Sequence, residues 1–390
     1  MYALLLALIY LAFISLGLPD ALLGSAWPFM YPLLEVPVSY AGVVSMIIAG
    51  GTIISSLNSS RVINRFGTGL VTAVSVLMTA IALFGFSLSN TFWLLCFWAV
   101  PYGLGAGAVD AALNNFVALH YASKHMSWLH CFWGVGVSIG PYIMSYSLTV
   151  SNSWQRGYTL VGLLQIVLTV ILFLSLPLWK RQAKLARTRQ SRTCHPLTIH
   201  EALRIKGVKQ VLAAFFGYCA LETTAGLWAS SYLVLHRGIG VEAAARWASL
   251  FYLGITFGRF LNGFVTDRLG DRKMIRIGLA VIATGLCVVL LPLRADFLPL
   301  AGLVLIGLGC APIYPCIIHE TPTNFGTENS QAIIGIQMAS AYVGSTFMPP
   351  LFGLLVNYLS IAFYPFYLSL FLVLMITMTE KLNRLTESKG

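Results

Sequence analysis

The stretch PYGLGAGAVDAALNNFVALHY, Pro101–Tyr121, organises the rest of this 390-residue chain. It has the length and apolar character of a membrane-spanning helix. Gly103, Gly105 and Gly107 remove side-chain bulk from its first half, and small residues of this kind let neighbouring helices approach closely in a membrane. We therefore expect a tightly packed helix of an integral membrane protein.

Polar side chains occupy the second half of the same stretch. Asp110 and Asn114 are four residues apart and share a helix face, and Asn115 follows. An ionisable group inside a span is costly and by default indicates a substrate or ion pathway. The alternative is that Asp110 only hydrogen-bonds a neighbouring helix.

The composition supports a membrane protein. Hydrophobic residues make up 58% of the chain and charged residues 9%, with a mean hydropathy of +0.81; soluble domains have about a quarter charged residues. Lys and Arg (24) outnumber Asp and Glu (13). The basic residues cluster between apolar runs, as in cytoplasmic loops, and not along one face, so we exclude nucleic-acid binding.

Twelve apolar stretches of about 20–28 residues can each cross a bilayer as a tilted helix. Their approximate bounds are 3–28, 38–62, 69–88, 91–120, 127–150, 158–179, 210–236, 243–266, 274–293, 297–318, 330–356 and 361–380. The sequence thus predicts an all-α membrane protein of twelve transmembrane helices. We divide it into an N-terminal six-helix bundle (1–179), a basic linker (180–209) and a C-terminal six-helix bundle with a short tail (210–390).

The distribution of positive charge predicts the orientation. The linker carries nine Lys and Arg residues against one acid, Glu201, and loops rich in Lys and Arg stay in the cytoplasm. The loops on the linker's side and the tail carry 19 basic residues, and the opposite loops carry four. We expect a multi-pass protein of the plasma or inner membrane with both termini cytoplasmic.

The two halves resemble one another. Similar residues recur at nearly constant offsets: Asp20 with Glu222 (202), Gly51, Arg65 and Gly67 with Gly254, Arg268 and Gly270 (203), and Gly103-Leu-Gly105 with Gly307-Leu-Gly309 (204). Two six-span repeats joined by a cytoplasmic linker are typical of a duplicated secondary transporter.

A loop motif follows the eighth span. The sequence GFVTDRLGDRK, Gly263–Lys273, resembles the G-x-x-x-D-R-x-G-R-[RK] motif of the major facilitator superfamily, with Asp271 in place of one Arg. In that family the acidic and basic residues of the motif latch one access state. The resemblance assigns this role to Asp267, Arg268 and Arg272 and, in the first half, to Arg65. There Asn64 replaces the expected Asp, which makes a charge-based latch doubtful in the first half.

A narrower resemblance covers most of the chain. The fourth span reads G-x-G-x-G-x-x-D-x-x-x-N, and three further segments fit the fucose permease and sodium-glucose-transporter-like branch: Leu129–Gly136 with Gly140-Pro141, Leu221-Glu222 with Trp228 and Tyr232, and Ala311–Pro315. In fucose permease, acids in the first and fourth spans carry proton coupling and sugar binding. The resemblance gives these positions to Asp20 and Asp110, although the fourth-span acid is Glu in that permease. It also implies a protein that works as a monomer.

The candidates for proton coupling are Asp110, Asp20 and Glu222, in that order. A carboxyl group in a low-dielectric cavity takes up a proton readily, and its charge then selects between conformations. Glu222 could instead bind substrate hydroxyls or a cation, and carboxylates suit hard cations, so Na⁺ remains possible beside H⁺. We expect no cofactor and no metal centre. Asp20 follows Pro19, where we expect a kinked helix.

Sugar binding requires amides or acids for hydroxyl pairs and aromatic faces for the C–H side. The candidate residues are Asn114, Asn115, Gln165, Gln337, Glu222, Trp133, Trp228, Tyr232 and Tyr314. His130 is expected either to pack near the cytoplasm or to relay protons. Pro312 and Pro315 are expected to break a helix that lines the cavity.

The sequence favours a secondary active transporter that moves a sugar or related polyol by proton symport. An exporter of amphipathic compounds working by proton antiport is the second interpretation, and a membrane sensor with the same fold is the third. The small solute and the lipid bilayer are the expected partners. An enzyme is excluded because the sequence has no Ser/His/Asp arrangement, no phosphate-binding loop and no metal motif.

Overall fold

The computed structural model describes residues 2–37, 40–179, 197–291 and 297–387. These residues form long helices joined by short connections. The helices are α1 (Tyr2–Gly17), α2 (Leu22–Leu33), α3 (Tyr40–Phe66), α4 (Thr68–Ser87), α5 (Phe92–His120), α6 (Ser123–Ser151), α7 (Trp154–Leu174), α8 (Ile199–Arg204), α9 (Val208–Leu235), α10 (Val241–Leu269), α11 (Asp271–Leu290), α12 (Phe297–Phe325), α13 (Thr327–Tyr358) and α14 (Tyr364–Glu387), with a short 3₁₀ turn at Ile361–Phe363.

The helices match the predicted spans in number and order. Within the described residues, ten helices are long and apolar enough to cross a membrane, and α1 and α2 count together as the first of them. The other two, α6 and α10, are 29 residues long but more polar. The prediction of an all-α protein with twelve membrane-spanning helices is confirmed.

The chain forms two compact units. The first comprises residues 1–116 and 129–197, and the second comprises 117–128 and 198–390. The segment Val117–Trp128, which comprises the end of α5, the short connection and the start of α6, therefore packs with the second unit. Of the predicted linker, residues 180–196 lie outside the described part. Its remainder contains α8, where Thr198 and Glu201 form a capping box.

Glycines bring helix backbones together in the first unit. A Cβ atom on Gly103 would overlap the carbonyl oxygen of Ile48 on α3, and one on Gly105 would lie 2.7 Å from the carbonyl oxygen of Ser75 on α4. Because the backbones are this close, the hydroxyl of Thr52 donates to the carbonyl of Gly103 at 3.2 Å. Helix α5 is thus packed directly against α3 and α4.

The second unit repeats this arrangement. A Cβ atom on Gly307 of α12 would overlap the carbonyl oxygen of Phe251 on α10, and one on Gly309 would lie 2.7 Å from the carbonyl oxygen of Gly278 on α11. The glycines that precede α4 and α11 also match, with φ and ψ of 81° and 153° at Gly67 and of 80° and 154° at Gly270. This backbone conformation strains any residue with a side chain. The structure confirms the internal repeat.

Proline coincides with an interruption in the first span but not in α12. The first span is interrupted between α1 and α2, and Asp20 lies in the intervening turn after Pro19, so the expected kink is present. Helix α12 is continuous although Pro312 and Pro315 lie inside it. The expectation that these two prolines break the helix was wrong. In a packed membrane helix, neighbouring groups compensate for the missing hydrogen bonds.

Substitution of Gly107 by Ala tests the close helix contact. A Cβ atom there would overlap the carbonyl oxygen of Thr52 on α3, whereas a Cβ atom on Gly50, in α3 itself, would meet nothing within 4 Å. We expect Gly107→Ala to lower the free energy of unfolding by about 1–3 kcal/mol, the usual effect of overpacking. Gly50→Ala should leave it unchanged or raise it by up to about 1 kcal/mol, because Ala is the better helix former. Thermal unfolding in detergent measures both, and equal melting temperatures for the two variants would contradict the packing argument.

Candidate solute and proton site

Asp20 presents an accessible carboxylate in the first unit. It lies in the turn between α1 and α2 and its side chain is exposed. The indole N–H of Trp133 on α6 donates to one carboxylate oxygen at 3.0 Å. The hydroxyl of Tyr102 on α5 donates to the other at 3.3 Å. Each oxygen therefore keeps acceptor capacity for a further ligand.

The turn itself orients this carboxylate. Pro19 has no N–H, and the backbone N–H of Asp20 reaches back to the carbonyl of Gly17 at 3.2 Å, while helical bonding resumes from Leu22 to Pro19 at 3.0 Å. Nearby, a Cβ atom on Gly17 would overlap the carbonyl oxygen of Trp133. Helices α1 and α6 are thus in backbone contact one turn from Asp20, which explains how the indole of Trp133 reaches the carboxylate.

Asp110 lies in a different environment. It is 5% exposed, and the side-chain amide of Asn114 donates to its carboxylate at 2.8 Å and to its backbone carbonyl at 3.0 Å. The amide oxygen of Asn114 lies 3.1 Å from Nε2 of His130 on α6, so this nitrogen acts as the donor. Hydrogen bonds thus link the side chains of Asp110, Asn114 and His130 into a buried chain. His130 is therefore a buried partner of Asn114, 5% exposed.

The two acids of the first unit influence one another. A Coulombic repulsion acts between Asp20 and Asp110 when both are ionised. Of the two, Asp20 has the more exposed side chain and Asp110 is buried. The arrangement allows protonation at one carboxyl group to favour charge at the other.

The second unit contains a buried ion pair. Arg259 on α10 contacts the carboxylate of Glu222 on α9 at 3.2 Å, with side-chain exposures of 4% and 17%. The same guanidinium nitrogen lies 3.4 Å from the hydroxyl of Tyr218. The ring of Tyr314 on α12 packs on that of Tyr218, with centroids 5.9 Å apart. Glu222 is thus a neutralised acid beside two phenol rings.

Three predicted binding residues of the second unit make protein contacts. The indole N–H of Trp228 donates to the carbonyl of Pro349 at 3.0 Å. The hydroxyl of Tyr314 lies 3.2 Å from the sulfur of Met338. Tyr232 is 1% exposed and packs on Tyr364, with ring centroids 4.9 Å apart. Trp228 and Tyr314 remain partly accessible, whereas Tyr232 is part of the helix packing.

The predicted amide ligands are buried. Asn114, Asn115, Gln165 and Gln337 are at most 6% exposed. Gln165 accepts from Thr79 at 2.8 Å and donates to the carbonyl of Ser15 at 2.9 Å, so both ends of its amide join helices. Gln337 accepts from Thr321 at 3.1 Å. In this conformation the side chains of Gln165 and Gln337 join neighbouring helices, and their assignment as sugar ligands stays a prediction.

The motif residues fall into two groups. Asp267 at the end of α10 pairs with Lys124 at 3.2 Å, and Arg272 contacts Glu320, Asn324 and Thr386 within the second unit. By contrast, Arg65 and Arg268 are exposed, and Arg65 lies 5.4 Å from the ring of the adjacent Phe66.

Sequence reasoning missed several of these partners. A lone Arg259 in an apolar stretch was a signal for a buried ion pair, since an unpaired charge there is very costly. Lys124 is one of the 19 basic residues on the linker's side, which served only to predict the orientation. Nothing in the sequence distinguished Tyr102 from the other tyrosines of the spans, because its role depends on its distance from Asp20.

Comparison with known proteins gives consistent results. The family model of the Major Facilitator Superfamily matches residues 9–248 and 210–382. The chain is 23% identical over 290 residues to Bypass of stop codon protein 6 of Saccharomyces cerevisiae, covering 67% of this chain and 56% of that protein. The chain thus spans little more than half of this relative. It is 22% identical over 316 residues to the glucose/mannose transporter GlcP of Bacillus subtilis, covering 78% of this chain and 77% of GlcP.

The fold is also that of a solved structure. A crystal structure of the Escherichia coli fucose:proton symporter FucP matches with a TM-score of 0.75 and 16% identity, covering 97% of this chain and 98% of FucP. At this identity the likeness concerns the fold alone. Because the family model covers most of the sequence and the twelve-helix fold agrees with it, the chain belongs to the major facilitator superfamily, a family of membrane transporters and not of enzymes.

Proposed function

We propose that the protein is a secondary active transporter that moves a sugar or related polyhydroxylated solute together with protons. The observation that carries this proposal is the Asp20 carboxylate, which is accessible and held by donors from Trp133 and Tyr102. A charged group in a membrane-spanning segment persists where it serves an ion or a substrate. The names of GlcP, a glucose/mannose transporter, and FucP, a fucose:proton symporter, support the same solute class and coupling ion.

The chemistry of Asp20 suits a sugar. A carboxylate accepts hydrogen bonds from two neighbouring hydroxyl groups, and an adjacent aromatic ring covers the C–H face of the solute. Trp133 supplies that ring while its N–H fixes the carboxylate. In the second unit, Glu222 and Tyr314 are partly accessible and offer further oxygen atoms to a solute.

Coupling follows from the charge of the two acids. In the ionised state the Asp20 carboxylate accepts both observed hydrogen bonds, and protonation of one oxygen removes its charge and an acceptor site. A conformation that encloses the site favours the neutral acid because of the lower dielectric. The proton therefore shifts the balance between outward and inward access, and the repulsion from Asp110 lets the buried acid take part.

The same reasoning suggests the cellular setting. We infer a protein of the cell membrane with both termini cytoplasmic, from the excess of basic residues in the linker. It would work as a monomer without a cofactor, with H⁺ as the coupling ion and Na⁺ as the alternative. The observation that sets Glu222 apart from the two aspartates is its ion pair with Arg259, which satisfies its charge without an added cation.

Neutralising the acids tests the coupling. We expect Asp20→Asn and Asp110→Asn to abolish proton-driven accumulation of the sugar in proteoliposomes while exchange of sugar without a gradient persists, because neither Asn carries a titratable proton. Asp110→Asn keeps an oxygen that accepts from Asn114, so its melting temperature should stay near wild type. Glu35→Gln removes an exposed carboxyl group outside the spans of the same unit and should leave accumulation unchanged. Accumulation by both aspartate variants at the wild-type level would refute proton coupling through these residues.

Removing one donor tests the role of Asp20 in binding. Tyr102→Phe deletes the hydroxyl that lies 3.3 Å from Asp20 and keeps the ring. A hydrogen bond to a charged group contributes about 1.5–3 kcal/mol, so we expect sugar affinity or its pH dependence to change by roughly 10-fold or more. Tyr158→Phe is the matched control, because this buried ring packs on Phe86, as Tyr102 does, and it makes no described contact with Asp20. Isothermal titration at several pH values measures the effect, and identical behaviour of the two variants would remove Tyr102 from the site.

A ligand screen tests the solute class. Hexoses, deoxyhexoses, polyols, glycosides and cationic amphiphiles are added to the purified protein at two pH values, with and without Na⁺. A ligand that binds the folded state raises the melting temperature. We expect pH-dependent stabilisation by a sugar. Stabilisation by amphiphiles alone would overturn the sugar assignment and favour the exporter, and a requirement for Na⁺ would replace the proton.

A further inference from the structure

The segment Val117–Trp128 is attached to the second unit by several polar contacts. Lys124 donates its backbone N–H to Asp267 at 3.1 Å and pairs with the same carboxylate at 3.2 Å. The indole N–H of Trp128 reaches the carbonyl of Phe260 at 3.4 Å. Along the chain, this segment contains the end of α5 and the start of α6, the helices that carry Asp110 and Trp133. A group that strengthens or weakens the contact between this segment and the second unit therefore acts on the ends of two helices of the candidate site.

Four residues form a further contact at this segment, which we call the Asp271 cluster: Tyr121, Ser123, Asp271 and His319. The Ser123 hydroxyl donates to one oxygen of Asp271, the first residue of α11. The other oxygen lies 2.6 Å from Nδ1 of His319, near the end of α12. Nε2 of His319 lies 3.1 Å from the backbone carbonyl oxygen of Tyr121. His319 thus bridges α11 and the segment.

The hydrogen-bond pattern determines the number of protons. A carbonyl oxygen only accepts, so Nε2 of His319 must carry a hydrogen to bond Tyr121. A neutral ring with that hydrogen would turn the lone pair of Nδ1 toward the Asp271 carboxylate at 2.6 Å. The alternative neutral ring would turn the lone pair of Nε2 toward the Tyr121 carbonyl. Both contacts exist together only with one additional proton, which lies between Nδ1 and Asp271.

The surrounding charges are balanced by this proton. The acids that act on His319 are Asp271 on α11, Asp267 on α10 and Glu320 on its own helix. Asp267 is paired with Lys124 and Glu320 with Arg272. Among the described residues, the cation paired with the third acid, Asp271, is His319, and the thiol of Cys316 and the Ser123 hydroxyl face it as neutral groups. The side chains of the pair are 20% and 13% exposed, so both groups are largely buried without being fully enclosed.

We propose that His319 is a proton-binding site, and that its proton holds the Val117–Trp128 segment on α11 and α12. Protonated His319 donates to Asp271 and to Tyr121 at once. Loss of the proton breaks one of the two hydrogen bonds and leaves the Asp271 charge uncompensated, so the segment detaches more easily as the pH rises. The site is separate from Asp20 and Asp110. Its effect on transport rests on the proposed function, but its effect on the segment does not.

Hydrogen–deuterium exchange of the full chain in lipid nanodiscs tests the proposal. The peptide that covers 117–128 is followed at about pH 6 and pH 8, the range in which a histidine changes charge. After correction for the chemical exchange rate, we expect it to exchange about tenfold more slowly at the lower pH, as expected for one charge-assisted hydrogen bond. Peptides from α3 should show no such pH dependence. Equal protection of the 117–128 peptide at both pH values would refute the proposal.

Two substitutions separate the proton from the side chain. His319→Gln cannot carry the charge, so exchange at 117–128 should be fast at both pH values. His319→Arg carries a permanent charge and should give slow exchange at both. His200→Gln changes an exposed histidine on α8 and should behave as wild type. If His319→Gln unfolds, all of its peptides exchange fast, and the test then depends on His319→Arg. Protection of the 117–128 peptide that changes with pH in either folded variant would overturn the proposal. Since no solute is added, failure here would leave the transport proposal intact, and failure of sugar transport would leave this result intact.

Discussion

The close approach of helix backbones is the constraint on which this structure depends. In a bilayer no hydrophobic force draws helices together, so packing and polar contacts must do so. Glycines at 103 and 105, and again at 307 and 309, bring α5 and α12 into contact with two neighbours each. Serine and threonine hydroxyls on α3 then reach carbonyl groups of α5. This packing fixes the position of Asp110 and of Tyr102, a donor to Asp20, because both lie on α5.

The acidic side chains inside the two units have different kinds of hydrogen-bond partner. In the first unit the acids are held by neutral donors: an indole and a phenol at Asp20, and an amide at Asp110. In the second unit Glu222 is held by a guanidinium that is always charged, so the pair is neutral as a whole. The duplicated halves have kept the same helix packing but not the same electrostatics.

The sequence predicted the fold but not the hydrogen-bond and ion-pair partners of individual side chains. Hydropathy predicted twelve spans, and the glycine offsets predicted a repeat that recurs in the backbone at Gly67 and Gly270. Both depend on local composition or spacing. The prediction for Pro312 and Pro315 was wrong because neighbouring helices, and not the sequence of α12, decide whether a proline breaks it. Gln165 and Arg259 show the same limit, since an amide or a guanidinium in a span binds a solute or a neighbouring helix according to distances that one sequence does not contain.

The neutral Glu222–Arg259 pair has a consequence for membrane voltage. A charge that moves through the bilayer field changes its energy by about 2.3 kcal/mol per 100 mV. A pair of opposite charges that moves as one body contributes almost nothing, because the two terms cancel. On the proposed function, this pair would then add almost nothing to the voltage dependence of transport, whereas Asp20 and Asp110 of the first unit are held by neutral donors. Two units with the same helix packing would then differ in how they respond to the membrane potential.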